Sequence, residues 1–189
     1  MPSDEELLSG FLKGDHAAFD ELMARHEDRI FGLCLRMLGS RDDALDATQD
    51  TFLTVYRKGR QYSGRSKFST WLYRVAINTC HDHLRKRKRH ETMPIPEGTD
   101  PPDSSVGDQF DSVELRPDIL TALSSIPQEF RSAVVFVDID GLALDEVAEI
   151  LGVPIGTVKS RTYRGRRLLA EFLGNFRGMP EHQRDEDHA

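Results

Sequence analysis

The stretch that decides the fold lies at residues 144–169 and reads LDEVAEILGVPIGTVKSRTYRGRRLL. Its apolar spacing predicts a short helix, a turn and a second helix. A helix-turn-helix needs a small residue where its helices touch, a glycine that makes the left-handed turn and an apolar residue that fixes the second helix. Ala148, Gly152 and Val158 supply these at the spacing of the motif. We therefore predict a helix-turn-helix, with a plain helical hairpin as the alternative.

The second helix of this motif carries a basic surface. We expect Thr157 to cap the helix, and no acidic residue follows it in the sequence before Glu171. Arginine can donate two hydrogen bonds to guanine, whereas lysine and serine hold phosphates. The residues that we expect to contact DNA are Thr157, Lys159, Ser160, Arg161, Arg164 and Arg167.

Helical signals also dominate the first ninety residues. Ser3, Asp15 and Ser40 each precede apolar residues at three- and four-residue steps, the pattern of a helix and its N-terminal cap. A fourth helix is expected at 68–89, and two more at 117–125 and 128–138. Because no stretch alternates with period two for long enough to form a strand, the pattern predicts an all-α fold.

A change of composition divides this fold into two small helical domains. Residues 91–114 contain four prolines, several aspartates and serines and almost no large apolar residues, which is typical of a flexible acidic linker. We predict a helical domain at 1–91, the linker at 92–115, a helix-turn-helix domain at 116–175 and a disordered tail at 176–189.

The helix at 68–89 carries a second candidate site. Asn78, Asp82, Arg85 and Arg89 are spaced by four, three and four residues, so they share one face, and the basic run that includes Lys86 extends it. Amide and carboxylate groups can hydrogen-bond base edges, and nearby aromatic side chains can stack on exposed bases. We include Trp71 among these aromatics, although we expect it mainly in the core. The alternative is a solvated helix end favoured by the helix dipole.

Charge is unevenly distributed along the sequence, with basic segments in a chain that is acidic overall. The net charge is −7, yet residues 57–90 hold 11 basic side chains and one acidic, whereas residues 1–56 hold five basic and 12 acidic. At a Debye length of about 8 Å, a partner that docks on the basic segment experiences that segment more than the average. The total charge therefore does not exclude a nucleic-acid partner.

Several classes of protein are disfavoured by what the sequence lacks. The acidic start MPSDEELLSG does not resemble a signal peptide, and no apolar run is long enough for a membrane span, so we expect a cytoplasmic protein without membrane insertion. Cys34 and Cys80 are too few for a disulfide framework. No metalloprotease or nucleotide-binding motif occurs, and the histidines near Cys80 fall on different helix faces. We expect a protein that is not an enzyme and has no cofactor or metal.

Three blocks together resemble a known family, the extracytoplasmic-function sigma factors of bacterial RNA polymerase. They are DDALDATQDTFLTVYRKG (42–59), FSTWLYRVAINTCHDHLRKRKR (68–89) and GTVKSR (156–161), in the family's order and spacing. The resemblance implies core RNA polymerase, promoter DNA and an anti-sigma factor as partners. It also implies that the first block docks on core polymerase through Asp46, Gln49, Asp50 and Phe52.

By the same resemblance, the second block would recognise and open the -10 promoter element through Trp71, Asn78, Asp82, Arg85, Lys86 and Arg89. The helix-turn-helix would enter the major groove of the -35 element. Two other interpretations remain open at this point: a stand-alone helix-turn-helix regulator, and a helical adaptor whose basic runs are incidental.

Overall fold

The computed structural model describes residues 1–92 and 117–177, and within these ranges the chain is helical without a strand. The first range forms α1 (Asp4–Leu12), α2 (His16–Leu38), α3 (Arg41–Lys58) and α4 (Phe68–Thr92), with a 3₁₀ turn at Gly59–Gln61. The second forms α5 (Pro117–Ser124), α6 (Gln128–Val134), α7 (Leu144–Leu151) and α8 (Ile155–Arg177), and a π-helical turn, Val135–Ile139, continues α6. The all-α fold class is confirmed. The exact domain boundaries stay a prediction, and nearly all of the expected linker and tail lies outside the described residues.

The predicted capping residues begin the helices of the first range. The Ser3 hydroxyl accepts a hydrogen bond from the Glu6 amide at 3.2 Å, and the Glu6 carboxylate accepts from the Ser3 amide at 2.7 Å, which is a capping box. Asp15 and Ser40 likewise accept from amides in the first turns of α2 and α3. At the end of α2, Gly39 has a φ of +75°, a conformation that glycine adopts without steric cost. Local sequence therefore fixes where these helices begin and end.

Helix α2 is the centre of the first core. Helices α1, α3 and α4 all pack around it. Five of its side chains have no exposed surface: Ile30, Phe31, Leu33, Cys34 and Met37. Helix α4 contributes Phe68, Leu72 and Ala76 from its predicted apolar stripe. Its opposite side remains available for a partner.

The second core forms where α6 and α7 pack against α8. Val147, Ile150 and Val158 are buried there, as the helix-turn-helix pattern requires. Helices α6 and α8 approach closely at Gly165, where a Cβ atom would lie 2.6 Å from Val134 Cγ2. Only a glycine fits this helix crossing without a displacement.

The two domains contact each other through buried polar groups. Arg131 of α6 is 5% exposed, and its guanidinium donates to the carbonyl oxygens of Ser124 and Ile126 in its own domain and of Met37 in α2. Burial lowers the pKa of Arg131 to about 10, so the group stays charged at neutral pH. One guanidinium thus stabilises both the turn before α6 and the contact with the first domain.

Further contacts extend this interface towards the helix-turn-helix. Arg36 of α2 pairs with Asp140 at 2.6 Å, and Arg74 of α4 donates to the Glu149 carbonyl oxygen of α7 at 2.6 Å. Burial raises the pKa of Asp140, and the nearby Arg36 only partly offsets this. The first helix of the helix-turn-helix therefore lies directly on α4.

None of the helices in residues 1–92 and 117–177 combines the length and the apolar character that a membrane span requires.

Candidate nucleic-acid interface

The helix-turn-helix forms as predicted. Helix α7 ends at Leu151 and is capped by Gly152, whose φ is +65°, and α8 begins at Ile155. Val158 is fully buried, and Ala148 packs against the same core. The glycine allows the sharp turn, and the valine fixes the angle at which α8 leaves it.

The exposed side of α8, which we call the α8 surface, contains most of the predicted DNA contacts. Lys159, Ser160, Arg164 and Arg167 are exposed, whereas Arg161 is half-buried. Arg167 lies 3.5 Å from Glu171 in an exposed ion pair, which is a weak interaction. The α8 surface is therefore basic and largely accessible.

Thr157 does not cap α8, and that prediction was wrong. The helix begins at Ile155, and the Pro154 carbonyl oxygen accepts from the amides of Thr157 and Val158 at 2.8 and 3.2 Å. The threonine therefore lies inside the first turn, where it is half-buried. Pro154, directly before α8, occupies the N-cap position that was predicted for Thr157.

Helix α4 presents the second predicted group, which we call the α4 surface. It consists of Asn78, Asp82, Arg85, Lys86 and Arg89, all exposed. Asp82 and Arg85 form an ion pair with each other, one turn apart. The predicted contacts are thus brought together on a single face, where an amide and a carboxylate lie among cations.

Trp71 lies at the other end of α4 and is half-buried. Its ring packs against Tyr62 and Phe68, with centroid separations of 5.7 and 5.8 Å. Phe68 is 1% exposed and belongs to the core, so the aromatic cluster joins the core to the surface. Only part of the Trp71 ring is available to stack on a base.

Helix α3 presents the predicted polymerase-docking group, which we call the α3 surface. Asp46, Gln49 and Asp50 are exposed on it. Phe52 is 6% exposed and packs in the core, so it supports the helix from beneath and offers little surface to a partner. The exposed apolar side chain of this turn is its neighbour Leu53, 48% exposed.

The α3 surface is linked to α4 by a hydrogen bond. His83 Nε2 lies 2.9 Å from Asp50 Oδ2, and Arg87 lies 3.4 Å from Asp43 at the start of α3. These contacts hold the basic end of α4 against α3. The predicted docking and base-reading groups therefore lie on two helices that pack against each other.

His81 of α4 is influenced by charges from both the α4 and the α8 surface. Burial lowers the pKa of His81, and the charges of Arg85 and Arg161 lower it further. Two surfaces that were predicted to bind separate DNA elements thus act on the same half-buried imidazole.

The chemistry of the remaining candidate groups is limited. The Cys34 and Cys80 sulfur atoms lie 3.6 Å apart in the core, and their hydrogen bond, together with burial, raises the pKa of Cys80 well above its ordinary value. A protonated, buried thiol is a poor nucleophile. Within residues 1–92 and 117–177, no three histidine, cysteine or acidic side chains are grouped so that they could hold a metal ion.

Three side chains at these surfaces were missed by sequence reasoning. Leu53 is exposed on the α3 surface, and Tyr163 is 69% exposed on α8, one turn after Ser160. Their helical spacing could have revealed both. Glu5 accepts a hydrogen bond from the first amide of α4 across 63 residues, and no local pattern indicates such a contact.

A two-domain helical chain with a helix-turn-helix, a second basic helix and an acidic helix is typical of a DNA-binding transcription factor. Comparison with known proteins makes this specific. Residues 22–90 match the family described as Sigma-70 region 2, and residues 116–169 match Sigma-70, region 4.

Two relatives of known family match almost the whole chain. This chain is 39% identical over 180 residues to the ECF RNA polymerase sigma factor SigE of Mycolicibacterium smegmatis, and the match covers 91% of this chain and 70% of the relative. It is 40% identical over 172 residues to SigM of Mycobacterium tuberculosis, covering 91% and 85%.

Among solved structures, the sigma factor RpoE of Bartonella quintana, determined with the anti-sigma factor NepR, superimposes with a TM-score of 0.64. The sequence identity is 26%, and the match covers 82% of this chain and 96% of that one. The chain belongs to the extracytoplasmic-function subfamily of sigma-70 factors, the subunits that give RNA polymerase its promoter specificity. This excludes the adaptor and the stand-alone regulator.

Proposed function

We propose that this sigma factor divides promoter recognition among the three surfaces described above. The α3 surface docks on core polymerase, the α4 surface reads and opens the -10 element, and the α8 surface enters the major groove of the -35 element. The observation that carries this proposal is the exposure of most of the predicted polar and basic contacts on one face of each helix.

The charges of the surfaces suit these partners. Asp46 and Asp50 give the α3 surface a negative charge that favours a basic groove on a protein. Cations on the α4 and α8 surfaces favour phosphates, and Asn78 and Arg161 can read base edges. Unstacking a base costs a few kcal/mol, which contacts along α4 and partial stacking on Trp71 help to offset.

The same proposal includes an anti-sigma partner and a cytoplasmic site of action. The solved structure of RpoE that resembles this chain was determined with an anti-sigma factor, and its match covers 82% of this chain. A chain that supplies recognition while polymerase supplies catalysis needs no reaction chemistry of its own. We therefore propose that it is not an enzyme.

In vitro transcription tests the proposal directly. Core polymerase with this protein should start transcription at a defined set of sites in a promoter library, and sequencing those starts gives the two promoter elements. Start sites identical to those of core enzyme alone would contradict the proposal. Asp50→Ala and Arg85→Ala then separate the roles, because the first should weaken polymerase binding and the second should weaken -10 binding with polymerase binding intact.

A further inference from the structure

The start of α4 is capped by a carboxylate from α1. Glu5 Oε1 accepts a hydrogen bond from the Phe68 amide at 3.1 Å. The Lys67 carbonyl oxygen accepts the first bond of α4, from Trp71 at 3.2 Å, so Phe68 is the first helical residue. The first amides of a helix have no partner within it, and a negative charge there also interacts favourably with the helix dipole. Glu5 thus acts as a cap supplied from another helix.

The same carboxylate reaches the loop that precedes α4. The Tyr62 hydroxyl donates to the Ser66 carbonyl oxygen at 2.6 Å and lies 3.5 Å from Glu5 Oε1. The Tyr62 ring packs against Phe68 and Trp71. The loop also presents three exposed cations, which are Arg60, Arg65 and Lys67. One acceptor therefore contacts both the helix start and the tyrosine that closes the basic loop.

Helix α1 is held firmly enough to serve as this support. Asp4, the neighbour of Glu5, binds α2 through His26 at 2.7 Å and Arg25 at 3.2 Å, and neither contact involves the capping box. The hydrogen bond from the Phe68 amide lowers the pKa of Glu5, so its charged form is favoured. Helix α1 precedes residues 22–90, which match sigma region 2, so that match does not assign it a role.

We propose that Glu5 is a positioning residue for -10 recognition, which fixes the first turn of α4, Trp71 and the basic loop in the conformation that binds DNA. This inference rests on the proposed role of α4. Glu5 touches no nucleic acid itself in this mechanism; it acts through Phe68 and Tyr62. Loss of the cap would leave α4 helical along most of its length but would loosen the end that carries the aromatic cluster.

The test uses the full chain and its single tryptophan, Trp71, as an internal probe. Glu5→Ala removes the cap, and Glu5→Gln keeps an acceptor without the charge. Glu6→Ala is the matched control. The substitution breaks the capping box of the same helix, whereas Glu6 makes no hydrogen bond to α4 within residues 1–92. Acrylamide quenching of Trp71 reports the loop, and circular dichroism confirms the overall fold. Fluorescence anisotropy of a labelled single strand carrying the mapped -10 sequence reports DNA binding, with a scrambled strand as its control.

Loss of a capping acceptor shifts the equilibrium of a helix terminus by about fivefold. We therefore expect Glu5→Ala to increase acrylamide quenching of Trp71 and to weaken binding of the -10 strand by up to about fivefold, since only the ordered form binds. Glu5→Gln should lie between Glu5→Ala and the natural chain, and Glu6→Ala should match the natural chain.

Unchanged quenching in Glu5→Ala, or an equal change in Glu6→Ala, would overturn the positioning role. So would increased quenching with unchanged affinity for the -10 strand. If the natural chain binds the -10 and scrambled strands equally while quenching still responds to Glu5→Ala as expected, the proposed function of α4 fails, and the capping contact alone is supported.

Discussion

Alanine at position 165 would test the packing that orients α8, the helix that we propose enters the -35 element. In α8, Gly165 faces α6, and an added Cβ would lie 2.6 Å from Val134 Cγ2 and 3.2 Å from the Phe130 carbonyl oxygen. Carbon atoms prefer a separation of about 3.5 to 4.0 Å, so the two helices must move apart by about 1 Å. Val134 is 4% exposed and its branched side chain has little freedom to turn away.

The expected effect is the difference between two opposing contributions. Alanine is favoured over glycine within a helix by about 0.8 to 1.0 kcal/mol. Overpacking of a filled core costs about 1 to 3 kcal/mol. We therefore expect Gly165→Ala to lower the free energy of unfolding by up to about 2 kcal/mol and to weaken binding of the -35 element, because the cations of α8 move with the helix.

The same helix offers a matched control. Gly174 has no atom within 4 Å of the position that its Cβ would take, and it is exposed. Gly174→Ala should therefore raise the stability by up to about 1 kcal/mol, through helix propensity alone. Urea denaturation followed by circular dichroism at a helix wavelength measures both variants in the full chain. Equal and stabilising effects of the two substitutions would refute the close packing at Gly165.

Three further predictions concern single contacts. Arg161→Ala should weaken binding of the -35 element by about 1 to 3 kcal/mol and relax the preference at one base pair in a binding-site selection. An equal loss of affinity on every sequence would make Arg161 a phosphate contact instead. Arg166→Ala is the control, because the Arg166 guanidinium is already bound to Asp138. The folded-state pKa of Glu5 is lowered, so the stability that it contributes is present above about pH 4.3, its ordinary pKa, and is lost as the pH falls through the lower value. The difference in unfolding free energy between the natural chain and Glu5→Gln should therefore shrink towards pH 3, and a constant difference would contradict this. Asp140→Ala should increase the radius of gyration in small-angle X-ray scattering, because it leaves Arg36 without its ion-pair partner in the domain interface. An unchanged radius would show that this ion pair does not hold the two domains together.

Most of the fold follows from signals that are local in the sequence. Helix caps at Ser3, Asp15 and Ser40 and the helix-turn-helix were predicted and are present. The face of α4 followed from helical periodicity, which depends only on spacing, and the contacts of α8 followed from its run of basic residues, whereas the docking residues of α3 came from the family resemblance. These features are readable because each depends on residues within one or two turns of one another.

Apart from the predicted cap at Thr157, the errors and omissions arise where distant segments meet. Periodicity alone places Phe52 next to Asp50 and Leu53 without deciding which of them faces the core, and packing against α2 and α4 decides it. Glu5 and Phe68 are 63 residues apart, so their hydrogen bond depends on how α1 packs. The need for glycine at 165 likewise appears only when α6 is in place.

The contact between the two domains sets an energetic condition on every use of this protein at a promoter. The -10 and -35 elements are centred about 25 base pairs apart, which is roughly 85 Å at 3.4 Å per base pair. In this structure the two domains instead touch, since Arg74 of α4 donates a hydrogen bond of 2.6 Å to the Glu149 carbonyl oxygen of α7. The 24 residues between positions 92 and 117 can span about 80 Å when fully extended, which is enough for the domains to separate. A partner that binds only the form with separated domains must overcome the free energy that holds the domains together. Each 1.4 kcal/mol of that free energy weakens the apparent Kd of such a partner tenfold. Buried groups such as Arg131, far from any base, thereby help to set how much free sigma factor is needed to occupy polymerase.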